Sequence, residues 1–414
     1  MAFLPEEFIV EEITQAGEVL ELGKRIEKPD SPAAAPSYFF SHFVLQKRLW
    51  STPDALRAIA DRLGVSQKRV NSAGNKDRNA ITTQMCSAFA VDPQRVLGLH
   101  VKDISINGAW KSDVKVPLGG LSGNRFTITL NANNCGTDAT AQEILKNADA
   151  ANFAVPNLFG SQRFGSSRRN THVVGRLLLE GRHEEAVMQY LCAGGDRDEA
   201  ASRARASLSE TRDFSKALQQ YPRHLKFERR MIAHLATHPT DFLGAFRRLA
   251  RGTQLLFVHA VQSELFNKIV KTRMDAGTLM QPEEGDFYCP IGANGFPDLA
   301  AAQQITGADA AAQAGEKIAQ RNAVLLSNII GYDSALTAQE TALLKLEGLS
   351  KESFRPKSLP ELSPKGTMRP MFVFLTGFEA TDSPAGPVAR FSLPSGSYAT
   401  VAIAALLRQK HDVL

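Results

Sequence analysis

The residues best suited to chemistry in this 414-residue chain are Ala73-Gly74-Asn75-Lys76-Asp77-Arg78-Asn79-Ala80. A carboxylate stands there between two cations, just ahead of a strand-like run at 81–91. Lys76 and Arg78 are expected to keep Asp77 ionised, as an attacking carboxylate requires. Gly74 is expected to allow a tight backbone turn. An Asx-type turn joining a helix to a strand accounts for the same spacing without chemistry.

Two further clusters stand out. Gly123-Asn124-Arg125-Phe126 places a Gly turn, an amide and an aromatic at the mouth of a strand. An exposed Phe126 could stack on a nucleobase and Asn124 could brace a neighbouring loop; a core Phe behind a turn is the plain alternative. Pro156-Asn157-Leu158-Phe159-Gly160-Ser161-Gln162-Arg163-Phe164-Gly165 has glycines at both ends. Its alternating aromatic, amide and Arg residues suit a surface near a phosphate backbone, with Asn157, Gln162 and Arg163 as candidate contacts.

Other chemistries lack their residues. Gly160 and Gly165 have P-loop spacing, but Ser166 stands where Lys is required. No G-x-G-x-x-G follows a strand, and Pro394-Ser395-Gly396-Ser397-Tyr398 is not a nucleophile elbow. The nine histidines form no H-E-x-x-H pair, and Cys86, Cys135, Cys192 and Cys289 form no C-x-x-C pair. Neither a metal nor a cofactor is therefore expected, and the cysteines are expected to be buried, reduced thiols. No apolar run approaches membrane-spanning length. Met1 to Glu12 carries four carboxylates and no Lys or Arg, the wrong start for a signal peptide. A cytoplasmic monomer away from membranes is expected.

The elements that must position these residues fall into three stretches. Residues 1–165 read as α+β, with strands at 8–13, 38–46, 81–91 and 125–130 and a helix at 138–148. Another helix opens at Thr52-Pro53-Asp54, Thr as the cap and Pro at the first helical position. It carries Leu56, Ile59, Ala60 and Leu63 at helical spacing and stops at Gly64. Beyond about 166, helical patterns dominate: 171–179, 184–191, 198–218, 226–237, 241–249 and 254–272. A β-branched run at 324–330 and a helix at 335–346 follow. Strand character returns at 371–378 and 388–393, before a last helix at 397–408. The expected order is an α+β domain (1–165), a mostly helical insertion (166–370) and a return to the first domain (371–414).

The formal net charge of +5 hides an asymmetry. It is 0 over residues 1–160, +9 over 161–273 and −4 over 274–414. Sixteen of the twenty basic residues in the middle stretch are Arg, the side chain suited to bidentate phosphate contacts. A solvated helical face would look similar.

Together these segments resemble the TruD family of tRNA pseudouridine synthases, in its archaeal and eukaryotic style. Pro5-Glu6-Glu7-Phe8-Ile9-Val10-Glu11-Glu12 is similar to the family's P-E-D-F-x-V-x-E opening. Residues 73–77 with Ala80, Thr82 and Gln84 resemble its catalytic A-G-x-K-D-x-x-A-x-T-x-Q, and residues 123–126 its G-N-x-F. Residues 156–165 resemble P-N-x-F-G-x-Q-R-F-G, and Leu393–Thr400 resembles L-P-x-G-S-Y-A-T. His259, Gln262, Ser263 and Asn267 resemble a helical motif of the archaeal and eukaryotic branch. There are two departures: Ala2 stands where the family commonly carries a Lys, and Glu7 replaces an Asp.

The resemblance implies a pseudouridine-synthase mixed sheet flanked by helices, interrupted by a helical insertion. It implies isomerisation of the uridine at position 13 of tRNA, in the D-arm, without a cofactor. Asp77 would be the nucleophile or base, Phe126 would stack on the flipped uracil, and Asn124 would hold the Asp77 loop. Lys76 would balance the carboxylate, and Gly74 would shape the substrate-binding loop. The Arg-rich insertion would hold the tRNA, and the charge count points to Arg168, Arg169 and Arg248 as its contacts to the backbone. A non-catalytic tRNA-binding protein or chaperone of the same fold is the alternative. A methyltransferase is disfavoured by the missing glycine-rich loop.

Overall fold

Alternation of apolar and polar residues builds the first sheet, and its strands carry the candidate site. In the computed structural model, residues 1, 3–33, 35, 38–165, 168–195 and 198–409 are described. Ala2 and Ser166 lie outside the described residues. The chain forms two compact units. One comprises Met1–Val155, Ile291–Asp298 and the described residues from Val373 onward; the other comprises Pro156–Pro290 and Leu299–Phe372. The segment 156–165, expected at the end of the first domain, thus belongs to the second unit, and residues 291–298 belong to the first.

The first unit is built on β1 (Phe8–Thr14), β2 (Phe40–Arg48), β3 (Val70–Ser72), β4 (Ile81–Phe89), β5 (Ile104–Ser112), β6 (Leu121–Thr129), β7 (Thr376–Thr381) and β8 (Val388–Pro394). They form one mixed sheet in the order β7-β8-β6-β1-β4-β2-β5, with β3 also on β4. Only β1 and β4 pair in parallel among the registers from β1 to β6. Helix α1 (Thr52–Leu63) buries Leu56, Ile59, Ala60 and Leu63 against Phe43, Leu45 and Cys86. Its cap is Ser51, one residue before the expected Thr52: the Ser51 hydroxyl accepts from the Asp54 N–H. Gly64, left-handed at φ 67°, ends it as expected. A second core lies around Phe8, Phe126, Ile144, Phe391 and Ile403.

The second unit packs helices around the long helix Arg251–Asp275 and carries a four-stranded sheet that includes Phe287–Pro290, Ala323–Ile329 and Thr367–Pro370. The single helix expected over 198–218 is two, Glu199–Thr211 and Phe214–Gln220. Arg212 is left-handed at φ 52° and the Asp213 side chain caps the second helix. Among the described residues no helix is long and apolar enough to cross a membrane.

Candidate active site

Strand β4 shares one edge between two partners. Its first residues pair with β1 (Ile9↔Ile81 to Glu11↔Thr83), its last with β3 (Val70↔Ala88 to Ser72↔Cys86). Gln84 and Met85 lie at the fork, and the segment 73–80 joins β3 to β4 there. Backbone groups at the fork are satisfied across it, since a buried unpaired donor is costly. The Met85 N–H donates to Glu12 Oε1 at 2.9 Å, and the Ala73 N–H to the Met85 carbonyl at 3.4 Å.

The loop is then tied at almost every step. The Gln84 side-chain amide donates to the Gly74 carbonyl at 3.1 Å, and the Thr52 hydroxyl to Gln84 Oε1 at 3.0 Å. The same hydroxyl accepts from the Lys76 N–H at 3.0 Å. Lys47 Nζ, itself 1% exposed, donates to the Asp77 carbonyl at 2.8 Å and reaches the Lys76 carbonyl at 3.5 Å. Lys76 turns inward, its ammonium 2.8 Å from Glu12 Oε2 and donating to Asn124 Oδ1 at 2.7 Å. Glu12 and Asn124 face each other in register across β1 and β6. Asn124 therefore reaches the Asp77 loop through Lys76. Gly74 is not in the left-handed region, and a Cβ on it would meet nothing within 4 Å. Its part is the carbonyl, not a turn that only Gly can make.

Every tie is to backbone or to Lys76. Among the described residues the Asp77 carboxylate has no hydrogen-bond or ion-pair partner, and the residue is solvent-accessible. The protein crowded around this accessible side chain raises its pKa by desolvation; Lys47 first and Lys76 second pull it back. Arg78, expected to help, is exposed and takes no part. Burial likewise pulls the Lys47 ammonium down to about 8, against the favourable charge of Asp77. This is a carboxylate held by its own backbone and open to a reactant.

The remaining candidates sit elsewhere. Phe126 lies on the Asn124 face of β6, two residues on, but is 5% exposed, with ring centroids 6.1 Å from Phe8 and 5.7 Å from Phe391. It is a core ring, the alternative that the spacing alone favours, and the stacking role that the resemblance implies requires it to be uncovered. Asn157 belongs to the second unit and is 4% exposed. Its amide donates to the Pro370 carbonyl at 3.0 Å, and its Oδ1 accepts from Arg369 at 2.7 Å. That is a structural latch, not an open contact. Arg163 donates to Ser263 Oγ at 3.0 Å and lies 5.4 Å over the Phe159 ring; Gln162 is exposed. Asn267 clamps the same segment, accepting from the Phe159 N–H at 2.8 Å and donating to its carbonyl at 3.0 Å.

The arginines divide. Arg168 is 12% exposed in its side chain, ion-paired to Glu228 at 3.3 Å, stacked 5.2 Å over Tyr190 and bonded to the Tyr190 carbonyl. Glu228 also holds the buried Arg205 at 3.0 Å. This buried cluster overturns Arg168 as a phosphate contact. Arg169 is exposed and left-handed at φ 46°, and Arg248 is exposed with its guanidinium on His234 Nδ1 at 3.1–3.2 Å.

Glu12, Lys47, Thr52 and Gln84 complete the site without having been singled out as site residues. The available signal was charge inside apolar strands: Glu11-Glu12 in FIVEEIT and Lys47 in FSHFVLQKR. Among the described residues no group of three His, Cys, Asp or Glu could hold a metal. Cys86, Cys135 and Cys289 are buried and Cys192 half-buried.

The chain is similar along most of its length to known proteins. A probable tRNA pseudouridine synthase D of Methanosarcina mazei is 35% identical over 96% of this chain and 90% of its own length. One from Methanosarcina acetivorans is 35% identical over 87% and 85%. The crystal structure of a putative TruD from Methanosarcina mazei superposes with a TM-score of 0.76 at 33% identity, covering 98% of this chain and 92% of that one. The family model described as tRNA pseudouridine synthase D (TruD) matches residues 3–406, so nearly the whole chain is accounted for and the protein belongs to the TruD family.

Proposed function

We propose that this protein isomerises the uridine at position 13 of tRNA, in the D-arm, to pseudouridine, with Asp77 as the reacting carboxylate. The reading rests on one observation: a partnerless, accessible carboxylate on a loop whose backbone is otherwise tied down. The N1–C1′ bond breaks, the freed uracil turns, and C5 bonds to C1′. The proton lost from C5 is balanced by one gained at N1, so neither oxidant nor cofactor is needed. Asp77 has three routes consistent with its place: attack at C1′, attack at C6, or removal of the ribose 2′ proton. The target atoms are closed off inside a stack, so the nucleotide must flip out first. The deciding experiment incubates the protein with unmodified tRNA transcripts in buffer and salt alone and maps pseudouridine. Unchanged uridine throughout, with a folded protein, would reject the reading.

The raised pKa of Asp77 fixes the sign of the pH dependence. The anion is required, so activity should fall as pH drops through a value above the ordinary carboxyl range. Lys47→Gln keeps a donor for the two carbonyls but removes the first cation favouring the anion, so the acid limb should move to higher pH. Single-turnover rates against pH test this; an unmoved limb would remove Lys47 from the electrostatics of the site.

Electrostatic holding of tRNA must fall to cations that the fold leaves open. Arg223, Lys226 and Arg230 are exposed, and among the described residues have no carboxylate in ion-pair range. Changing all three to Gln should lower the slope of log affinity against log salt by about 2–3, roughly 0.9 for each phosphate neutralised. Arg168→Gln should instead lower stability by about 1.5–3 kcal/mol, because it strips a buried carboxylate of one partner. A triple variant with the wild-type slope would sink this assignment.

A further inference from the structure

We infer that Leu118 is a wedge that fills the gap left in the RNA stack when the target uridine flips out; this rests on the isomerase reading above. Leu118 is 89% exposed, the highest value for a large hydrophobic residue among the described residues. It is not a loose tip. It occupies the second position of a four-residue turn, Pro117 to Gly120, closed by the Gly120 N–H on the Pro117 carbonyl at 3.0 Å. Gly119, at φ +80°, supplies the left-handed third position that such a turn needs. Pro117 stiffens the approach, and Val116 beside it is buried with Ala73, Met85 and Trp110.

The turn is bolted to the Asp77 loop on both sides. On one side the Gly119 N–H donates to the Ala73 carbonyl at 2.7 Å, at the start of that loop. On the other the chain runs straight into β6, where Asn124 holds Lys76. An apolar side chain is thus presented to water on a closed turn tied to the loop whose carboxylate needs an extruded base. Apolar wedges entering a base step are a general way to hold nucleic acid unstacked, and an apolar side chain gains by leaving water. A base stack, flat and apolar on its faces, fits Leu118; Lys115, exposed next to the turn, suits the flanking phosphates.

The test uses the full chain in two arms. In the first, Asp77→Asn proteins with and without Leu118→Ala bind tRNA carrying 2-aminopurine next to the target uridine. The fluorescence rise on binding should be large with Leu118 and mostly lost without it, at saturating protein. In the second arm, Leu118→Ala should slow single turnover on folded tRNA by about tenfold to a hundredfold. It should cost little on an unstructured oligonucleotide holding the same uridine, and Leu118→Met should restore the rate. The unfolding midpoint should stay unchanged, because the side chain touches solvent. Equal losses on both RNAs, an unchanged fluorescence rise, or loss of self-association as the only effect would each overturn the wedge. If wild type leaves uridine unchanged but the fluorescence still depends on Leu118, the isomerase reading falls and the wedge stands.

Discussion

Asp77→Asn is expected to abolish turnover while tRNA binding stays within about tenfold, or ~1.4 kcal/mol. The amide keeps the shape of the side chain, and the carboxylate it replaces has no hydrogen-bond partner to lose among the described residues. The loop keeps its position through the Gly74, Lys76 and Asp77 backbone groups. Only the charge goes. Burial already disfavours that charge, so the neutral variant should be no less stable than the parent. Single-turnover assays and equilibrium binding on protein verified free of deamidation check both halves. Substantial activity would take Asp77 out of the chemistry; collapse of binding would make the loop mainly structural.

The largest effect on stability should come from Lys76→Met. The Lys76 and Glu12 side chains are 4% and 0% exposed, and their contact is 2.8 Å. Removing the ammonium leaves a buried carboxylate with the Met85 N–H as its remaining donor. Breaking a buried pair from one side costs about 3–5 kcal/mol, whereas replacing both members with apolar groups costs far less. Glu12→Leu/Lys76→Met should therefore be more stable than the sum of its single variants predicts. The molecule offers a clean readout: Trp50 and Trp110, the only tryptophans, both lie in the first unit. Their fluorescence in a denaturant titration follows that unit alone. A loss under about 1 kcal/mol for Lys76→Met would mean the pair behaves like a surface ion pair.

Local rules made some elements legible. Helix α1 declared itself by spacing, Pro53 and Gly64, and its cap was misplaced only because Ser51 and Thr52 both suit the role. Strand β5 escapes the alternation rule because its alternation breaks: Phe43 faces Ala109 but Leu45 faces Ile106, an extra residue at 107–108. There Gly108 passes so close to Ile26 that a Cβ would sit 2.0 Å from its carbonyl oxygen. Asp77, Lys76 and Asn124 were legible as motif residues, and the structure brings them to one place. Phe126 misled because its cover, Phe391, arrives from far down the chain. Arg168 misled for a related reason: a charge count cannot see that Glu228, 60 residues on, already holds it. Glu12 and Lys47 went unassigned because a charge within a strand acquires meaning only when the sheet closes over it.

The place of β8 in the first sheet has a consequence for synthesis on the ribosome. Strand β6 pairs with β1 on one side and with β8 on the other, from Val388↔Thr129 to Pro394↔Gly123. Until residue 394 has left the exit tunnel, a nascent chain holds β6 as an open edge and the Phe126 side of the core without Phe391 or Ile403. The described part of the second unit, built largely of neighbouring helices, ends at residue 372 and can fold while the first waits. The unit that carries Asp77 is therefore begun first and closed late, and a stalled chain would present an unpaired strand to its neighbours.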